Sequence, residues 1–204
     1  MQGRTGVQKQ TKALILEAAL DVVGREGIEG LTIGTLATAV GMSKSGLFAH
    51  FRSRDALQLD VLRAATDRFV DVVLRPAFRE PRGERRLHAL VDNWLRYLGG
   101  PGSVLIAASS ELDDRPGRLR AFVGGAQRDL IANVEQAVRI AVEVGDFRED
   151  LDVELFAWSL YSFILGYHHS KRLLKDPKAE EHMRRSFEGL LRVARAENKK
   201  RKIS

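Results

Sequence analysis

Apolar positions recur along this chain with helical spacing, and no two segments show the alternation that a strand pair needs. Over residues 10–25, Ile15, Ala19, Val22 and Val23 fall on one face, and Gly27 and Gly30 punctuate the end. Leu36, Ala37 and Val40 give the next segment one apolar face. The hydroxyl of Thr32 opens it and Gly41 closes it. Ser43 caps a short third helix that carries Leu47 and Phe51 inward, and small Ala37 suits the crossing of the two helices. Ser53 caps a fourth, with Asp55 in its first turn, and Leu57, Val61, Ala65, Phe69, Val72 and Val73 run along it to Pro76.

A loop over 77–83 precedes a fifth helix, 84–98, with Leu87, Leu90, Val91, Trp94, Leu95 and Leu98 inward and Gly99-Gly100-Pro101-Gly102 as its stop. A short apolar helix spans Val104 to Leu112. Asp113 to Gly117 read as a turn, with Pro116 opening a seventh helix that stops at Gly145. Asp152 caps an eighth over 153–174, and Asp176-Pro177 start a ninth. The pattern predicts an all-α protein of about nine helices, ending in the basic tail Lys199-Lys200-Arg201-Lys202.

Residues 31–54, LTIGTLATAVGMSKSGLFAHFRSR, carry the most functional information. They read as helix, tight turn and second helix, whose outward residues are Lys44, Ser45, Gly46, Phe48, Ala49 and His50. Small, polar and basic groups on one exposed face suit a helix lying in a DNA major groove. A helical hairpin inside an all-α core is the other reading of the segment. Arg4, Lys9 and Lys12 precede the unit with no acid before Glu17, and Arg52 and Arg54 follow it. Basic groups thus bracket the second helix where phosphates would lie.

Charge points the same way. The 204 residues carry a formal net charge of +6, which favours an anionic partner: nucleic acid or an anionic membrane surface. There is no cysteine, so no disulfide scaffold and no thiolate zinc site. The N-terminus lacks the apolar core of a signal peptide. The uncharged stretch Leu155 to Tyr167 is far short of the roughly 20 residues of a spanning helix. These features lead to the expectation of a cytoplasmic protein. His168 and His169 point about 100° apart on a helix, and His182 lies on another, so no metal site is expected. No nucleophile–base pair or glycine-rich phosphate loop is present, so neither catalysis nor a cofactor is expected. Glu111, Asp113 and Asp114 cluster ahead of the seventh helix and read as a solvated loop, with a site for a cationic ligand as the alternative.

The eighth helix is apolar on nearly every side, and the ninth carries a stripe of Met183, Phe187, Leu190, Leu191 and Ala194. Pairing these helices with those of a second chain, through Trp158, Tyr161 and Leu165 and that stripe, would cover both. The alternative is that both pack inside one monomer.

The run over residues 15–57 resembles the N-terminal DNA-binding domain of the tetracycline-repressor (TetR) family of bacterial transcription regulators. Ile15-Leu16, Ala18-Ala19, Gly27, Thr32, Leu36-Ala37, Gly41, Ser43, Leu47, His50-Phe51 and Leu57 carry the likeness. The resemblance implies a three-helix DNA-binding domain over 1–54 and a larger helical effector-binding and dimerisation domain over 55–204. It places groove contacts on Lys44, Ser45, Gly46 and Phe48 and backbone contacts on Thr32, His50 and Arg54. It also implies a small-molecule site among the helices of the second domain, for which Phe69, Val73, Trp94, Tyr97, Ser109, Phe122 and Phe163 are candidates. Two departures thin the base-reading set: many relatives have tyrosine at Phe48 and threonine at Gly46. The function so implied is a homodimeric repressor released from a palindromic operator by a small effector, with the fourth helix as mechanical link. A small helical enzyme or hydrophobic-ligand carrier, and an architectural DNA binder without effector, are the other readings.

Overall fold

The computed structural model describes residues 2–100 and 104–196, with side chains from residue 10 onward. The side chains of Arg4 and Lys9, the Pro101-Gly102 stop and the basic tail lie outside the described residues. The helices are α1 (Gln2–Gly30), α2 (Ile33–Val40), α3 (Lys44–Phe48), α4 (Arg54–Phe69), α5 (Arg75–Arg79), α6 (Glu84–Gly99), α7 (Val104–Leu112), α8 (Arg118–Glu143), α9 (Val153–Arg172) and α10 (Ala179–Ala194). Among the described residues there is no strand beyond one isolated bridge, Phe147 to Arg195. None of their helices is long and apolar enough to cross a membrane.

Several boundaries move from their expected places for local reasons. α1 runs past residue 25, is broken at Gly27 (φ 78°, ψ 171°) and resumes to Gly30. Pro76 does not end the fourth helix. A π-helical turn, Val70–Leu74, joins α4 to α5, and Pro76 falls in the first turn of α5, where its missing N–H costs little. With α4, the π turn and α5 counted as one continuous helix, the described residues carry the expected nine. Pro116 lies in the turn before α8, and Asp176-Pro177 lie before α10. There the Asp176 carboxylate accepts the Lys178 N–H at 2.8 Å, so it shapes the turn instead of capping the helix.

The chain divides into two compact units: Met1–Asp71 with Tyr97–Ala126, and Val72–Arg96 with Gln127–Ser204. The first is more than the expected 1–54. Its core joins Ile15, Ala19, Leu36, Leu47 and Phe51 to Leu57, Val61, Leu62 and Ala65 of α4 and Val104, Ala108 and Leu112 of α7. Burying a Leu or Phe side chain stabilises by about 1.5–3 kcal/mol, so α4 and α7 are integral to holding the short helices in place. In the second unit α9 packs on α10. Trp94 lies near Tyr161 with ring centroids 6.3 Å apart, and Phe147 lies 5.6 Å from Phe156.

The α10 stripe is a correction. Met183, Phe187, Leu191 and Ala194, expected at a seam between two chains, are buried inside this one, and Leu190 is half-buried. Phe187 meets the His88 ring edge-on at 5.4 Å, and Arg184 and Arg195 form ion pairs with Asp92 and Glu84 of α6. The stripe therefore faces α6 and α9 of its own chain. The apolar and small residues exposed on the two helices include Leu155, Trp158 (61% exposed), Gly166 and Val193, while Tyr161, Leu165 and Leu190 are half-buried.

Candidate nucleic-acid interface

The α2–α3 pair is fixed by its caps. Thr32 Oγ1 accepts the Thr35 N–H at 3.0 Å while Thr35 Oγ1 accepts the Thr32 N–H at 2.9 Å, a reciprocal capping box. Gly41 (φ 66°) ends α2 in the left-handed conformation. Ser43 Oγ accepts the Gly46 N–H at 3.1 Å and starts α3. Leu47 and Phe51 point into the core. Those two anchors decide which side of α3 is outward.

Lys44, Ser45 and Phe48 are exposed on that side, Phe48 at 53%. An aromatic ring is thus left half in water beside a lysine and a serine. The chemistry of this side suits a groove: a cation, a hydroxyl and an apolar face for a thymine methyl. Gly46 is half-buried, and its amide is used by the Ser43 cap. Lys44 does not simply point away. A Cβ at Gly34 would lie 3.5 Å from Lys44 Cε, 3.8 Å from Lys44 Nζ and 3.6 Å from Thr32 Oγ1. The ammonium thus lies along the first turn of α2, at the positive end of the helix dipole. That arrangement is unfavourable for a lone cation and favours an anion beside it.

His50 is half-buried, with its ring 6.4 Å from Phe51. Lys12 stacks over the other partner of that contact, 5.3 Å from the Phe51 centroid, and pairs with Asp60 at 2.6 Å. Arg54 is exposed, yet its Nε donates to the Leu31 carbonyl at 3.3 Å and its Nη2 to the Glu29 carbonyl. Its guanidinium is turned, at least in part, to the exit of α1.

The residues proposed for a small-molecule site divide between the units. Phe69 and Tyr97 meet edge-to-face at 5.4 Å in the first, where Ser109 Oγ donates to the Ile106 carbonyl at 2.7 Å and Phe122 is half-buried. Burial raises the Tyr97 hydroxyl above its ordinary pKa. Val73 and Trp94 are buried and Phe163 half-buried in the second. A cleft of about 210 Å³ in the first unit is lined instead by Asp55, Leu59, Leu112 and the arginines 115, 118 and 120. Among the described residues, no three His, Cys, Asp or Glu side chains are grouped to hold a metal ion.

Sequence reasoning missed Glu111. It is no solvated loop residue: its carboxylate accepts the Ile28 N–H at 3.2 Å and the Glu29 N–H at 3.1 Å. Nothing in the local pattern signals a contact to residues so distant in sequence.

The pattern that defines bacterial regulatory proteins of the tetR family matches residues 15–61, and that of the tetracyclin repressor-like C-terminal domain matches residues 83–187. The Escherichia coli HTH-type transcriptional regulator BetI is 29% identical over 91 residues, which are 44% of this chain and 47% of that regulator. The chain thus spans about half the length of that relative. Among solved structures, a TetR-family regulator from Cytophaga hutchinsonii superposes with a TM-score of 0.82 at 19% identity, covering 93% of this chain and 97% of the other. AibR, solved with isovaleryl coenzyme A and operator DNA, superposes with a TM-score of 0.67 at 23% identity, covering 84% and 95%.

Proposed function

This chain belongs to the tetracycline-repressor family, and on that premise we propose that it is a DNA-binding transcription regulator, a repressor that a small-molecule effector releases from a palindromic operator. The observation that carries the reading is the outward face of α3. Lys44, Ser45 and Phe48 are exposed on a helix whose caps and buried anchors leave it one orientation.

In this reading α3 enters the major groove. Ser45 bonds a base edge and Phe48 packs on a thymine methyl. Lys44 and the α2 N-terminus hold one backbone phosphate, as the closeness of the ammonium to Gly34 and Thr32 favours. His50 and Arg52 flank further phosphates, while Arg54 serves by fixing the α1 exit. Two copies pair through the outward stripe of α9 and α10, where Leu155, Trp158 and Val193 supply apolar area and Gly166 lets backbones approach. A two-fold dimer reads two half-sites about one helical turn, roughly 34–36 Å, apart or a multiple of it. AibR, a structural relative solved with both isovaleryl coenzyme A and operator DNA, supports a small organic molecule as the effector.

Selection of bound sequences from random duplex DNA tests this directly. Enrichment of a palindrome is the expected result. A chain that enriches no sequence is not a sequence-specific regulator, and one that enriches a single half-site is not a dimeric one.

A further inference from the structure

Side chains from elsewhere in the first unit converge on the backbone of the short segment between the break in α1 and the start of α2. Gly27 interrupts the helical ladder, and the next two amides, of Ile28 and Glu29, both turn to the Glu111 carboxylate, one to each oxygen. The carbonyls of the same segment go the other way. Gln58, the buried polar side chain of α4, donates Nε2 to the Ile28 carbonyl at 2.6 Å and to that of Leu31 at 3.4 Å. Arg54 takes the Glu29 and Leu31 carbonyls. Arg115, in the turn after α7, pairs with the Glu29 carboxylate. The segment then runs straight into Thr32, the cap that sets the direction of α2. The φ of 78° at residue 27 favours glycine, and a Cβ there would lie 2.6 Å from Glu111 Oε1 and push that carboxylate aside.

We propose that Glu111 is a positioning residue for DNA binding: its carboxylate, reaching from α7 to the amides of Ile28 and Glu29, sets the angle at which the helix-turn-helix leaves α1, and so lets a displacement of α7 alter operator affinity. The reason is geometric. Donors from α4 pull on the carbonyls and an acceptor from α7 pulls on the amides, so the segment follows α7 relative to α4. A carboxylate taking two backbone amides is a stronger tie than a neutral acceptor. This role rests on the DNA-binding reading above.

The test uses the full chain, the duplex that the wild type selects, and a random-sequence duplex of equal length. In Glu111→Ala, native-state hydrogen exchange at Ile28 and Glu29 accelerates about tenfold or more, while Ala19, Val22 and Val23 keep their protection. Affinity for the selected duplex falls about tenfold, and affinity for the random duplex changes less than about twofold, because phosphate contacts tolerate a changed angle better than base contacts do. Glu111→Gln keeps the side-chain length and one accepting oxygen, so one of the two amides loses protection and the loss of affinity is smaller. This variant carries the test if the alanine variant fails to fold. Full affinity for the selected duplex in either variant, with or without faster exchange, overturns the positioning role. Protection lost along the whole of α1 overturns it too, since that is general destabilisation. A wild type that selects no duplex brings down the DNA-binding reading and this role together. Intact selection by the wild type with undiminished affinity in the variants brings down this role alone.

Discussion

Between α2 and α3 the chain turns on a left-handed Gly41 and a Ser43 cap, Ile33, Leu36 and Leu47 go inward, and what faces out is small or polar apart from Phe48. Between α9 and α10 it turns through Leu173 to Lys178, Phe156, Leu160, Ile164 and the Met183–Ala194 stripe go inward, and what faces out includes Leu155, Trp158 and Val193. Each pair has a filled inner side, so the difference lies in what each leaves for a partner. A polar, cationic outer face is well solvated, and its Lys44 ammonium beside the α2 N-terminus gains when an anion arrives. Large apolar side chains in the open are unfavourable until something covers them. The first pair is therefore well solvated as it stands, apart from Phe48, and the second is completed by another copy in the proposed dimer.

The largest expected effects separate the inner and outer sides of α10 and α9. Leu191 is fully buried, so Leu191→Asp places a carboxylate in the chain's own core and destabilises it by several kcal/mol. Denaturant unfolding should show a collapsed midpoint or no folded protein at all. Trp158→Asp changes an exposed side chain and leaves the fold intact. In the dimer it removes an anchor of the kind that contributes about 2 kcal/mol or more and buries a charge in its place. Sedimentation of this variant should give folded monomer where the wild type gives dimer. A folded Trp158→Asp protein that remains a full dimer would reverse the assignment of the two faces.

A smaller effect sharpens the α2–α3 side. If the Lys44 ammonium holds a phosphate at the α2 N-terminus, Lys44→Ala weakens selected and random duplexes alike and lowers the salt slope by about one unit. Phe48→Ala instead relaxes preference at one position, by about 1–3 kcal/mol at most. Binding titrations of both duplexes over a range of salt read both quantities. A Lys44→Ala loss confined to the selected duplex would make that residue a base reader after all.

The two pairs also mark what a sequence can disclose. Thr32, Gly41 and Ser43 act within four residues of themselves, so the helix-turn-helix was legible from cap chemistry and apolar spacing. The start of α9 was legible for the same reason, from the Asp152 cap. An apolar stripe says that something covers a helix but not which chain supplies it, so Met183, Phe187, Leu191 and Ala194 were legible as buried and not as intrachain. The π turn before Pro76 lets helical residues continue up to a residue that lacks an N–H, which spacing alone does not forecast. Glu111 and Gln58 act on backbone amides and carbonyls far away in sequence, and backbone groups carry no side-chain signature at all.

The smallest expected effect is a pH window peculiar to the second unit. His168 of α9 has its Nε2 buried without a hydrogen-bond partner. Burial lowers its pKa below the ordinary 6.5, and the nearby charges of Arg172 and His169 lower it further. The unfolded chain takes up this proton near 6.5, the folded chain only at a lower pH, so within that window the unfolded state binds more protons and stability rises with pH. Its contribution is complete above 6.5, declines as pH falls through the folded value, and is then constant. Glu84 behaves as the internal control. Its hydrogen bond to Arg195 outweighs partial burial and holds its carboxyl below 4.5, so the stability it adds is present above 4.5 and lost as pH falls through its own folded value. Denaturant midpoints measured down the pH scale should therefore show two declines, and His168→Leu should erase the upper one while leaving the lower. An upper decline that survives the substitution would assign it to another group, and the burial of this imidazole would then have no bearing on how α9 responds to acid.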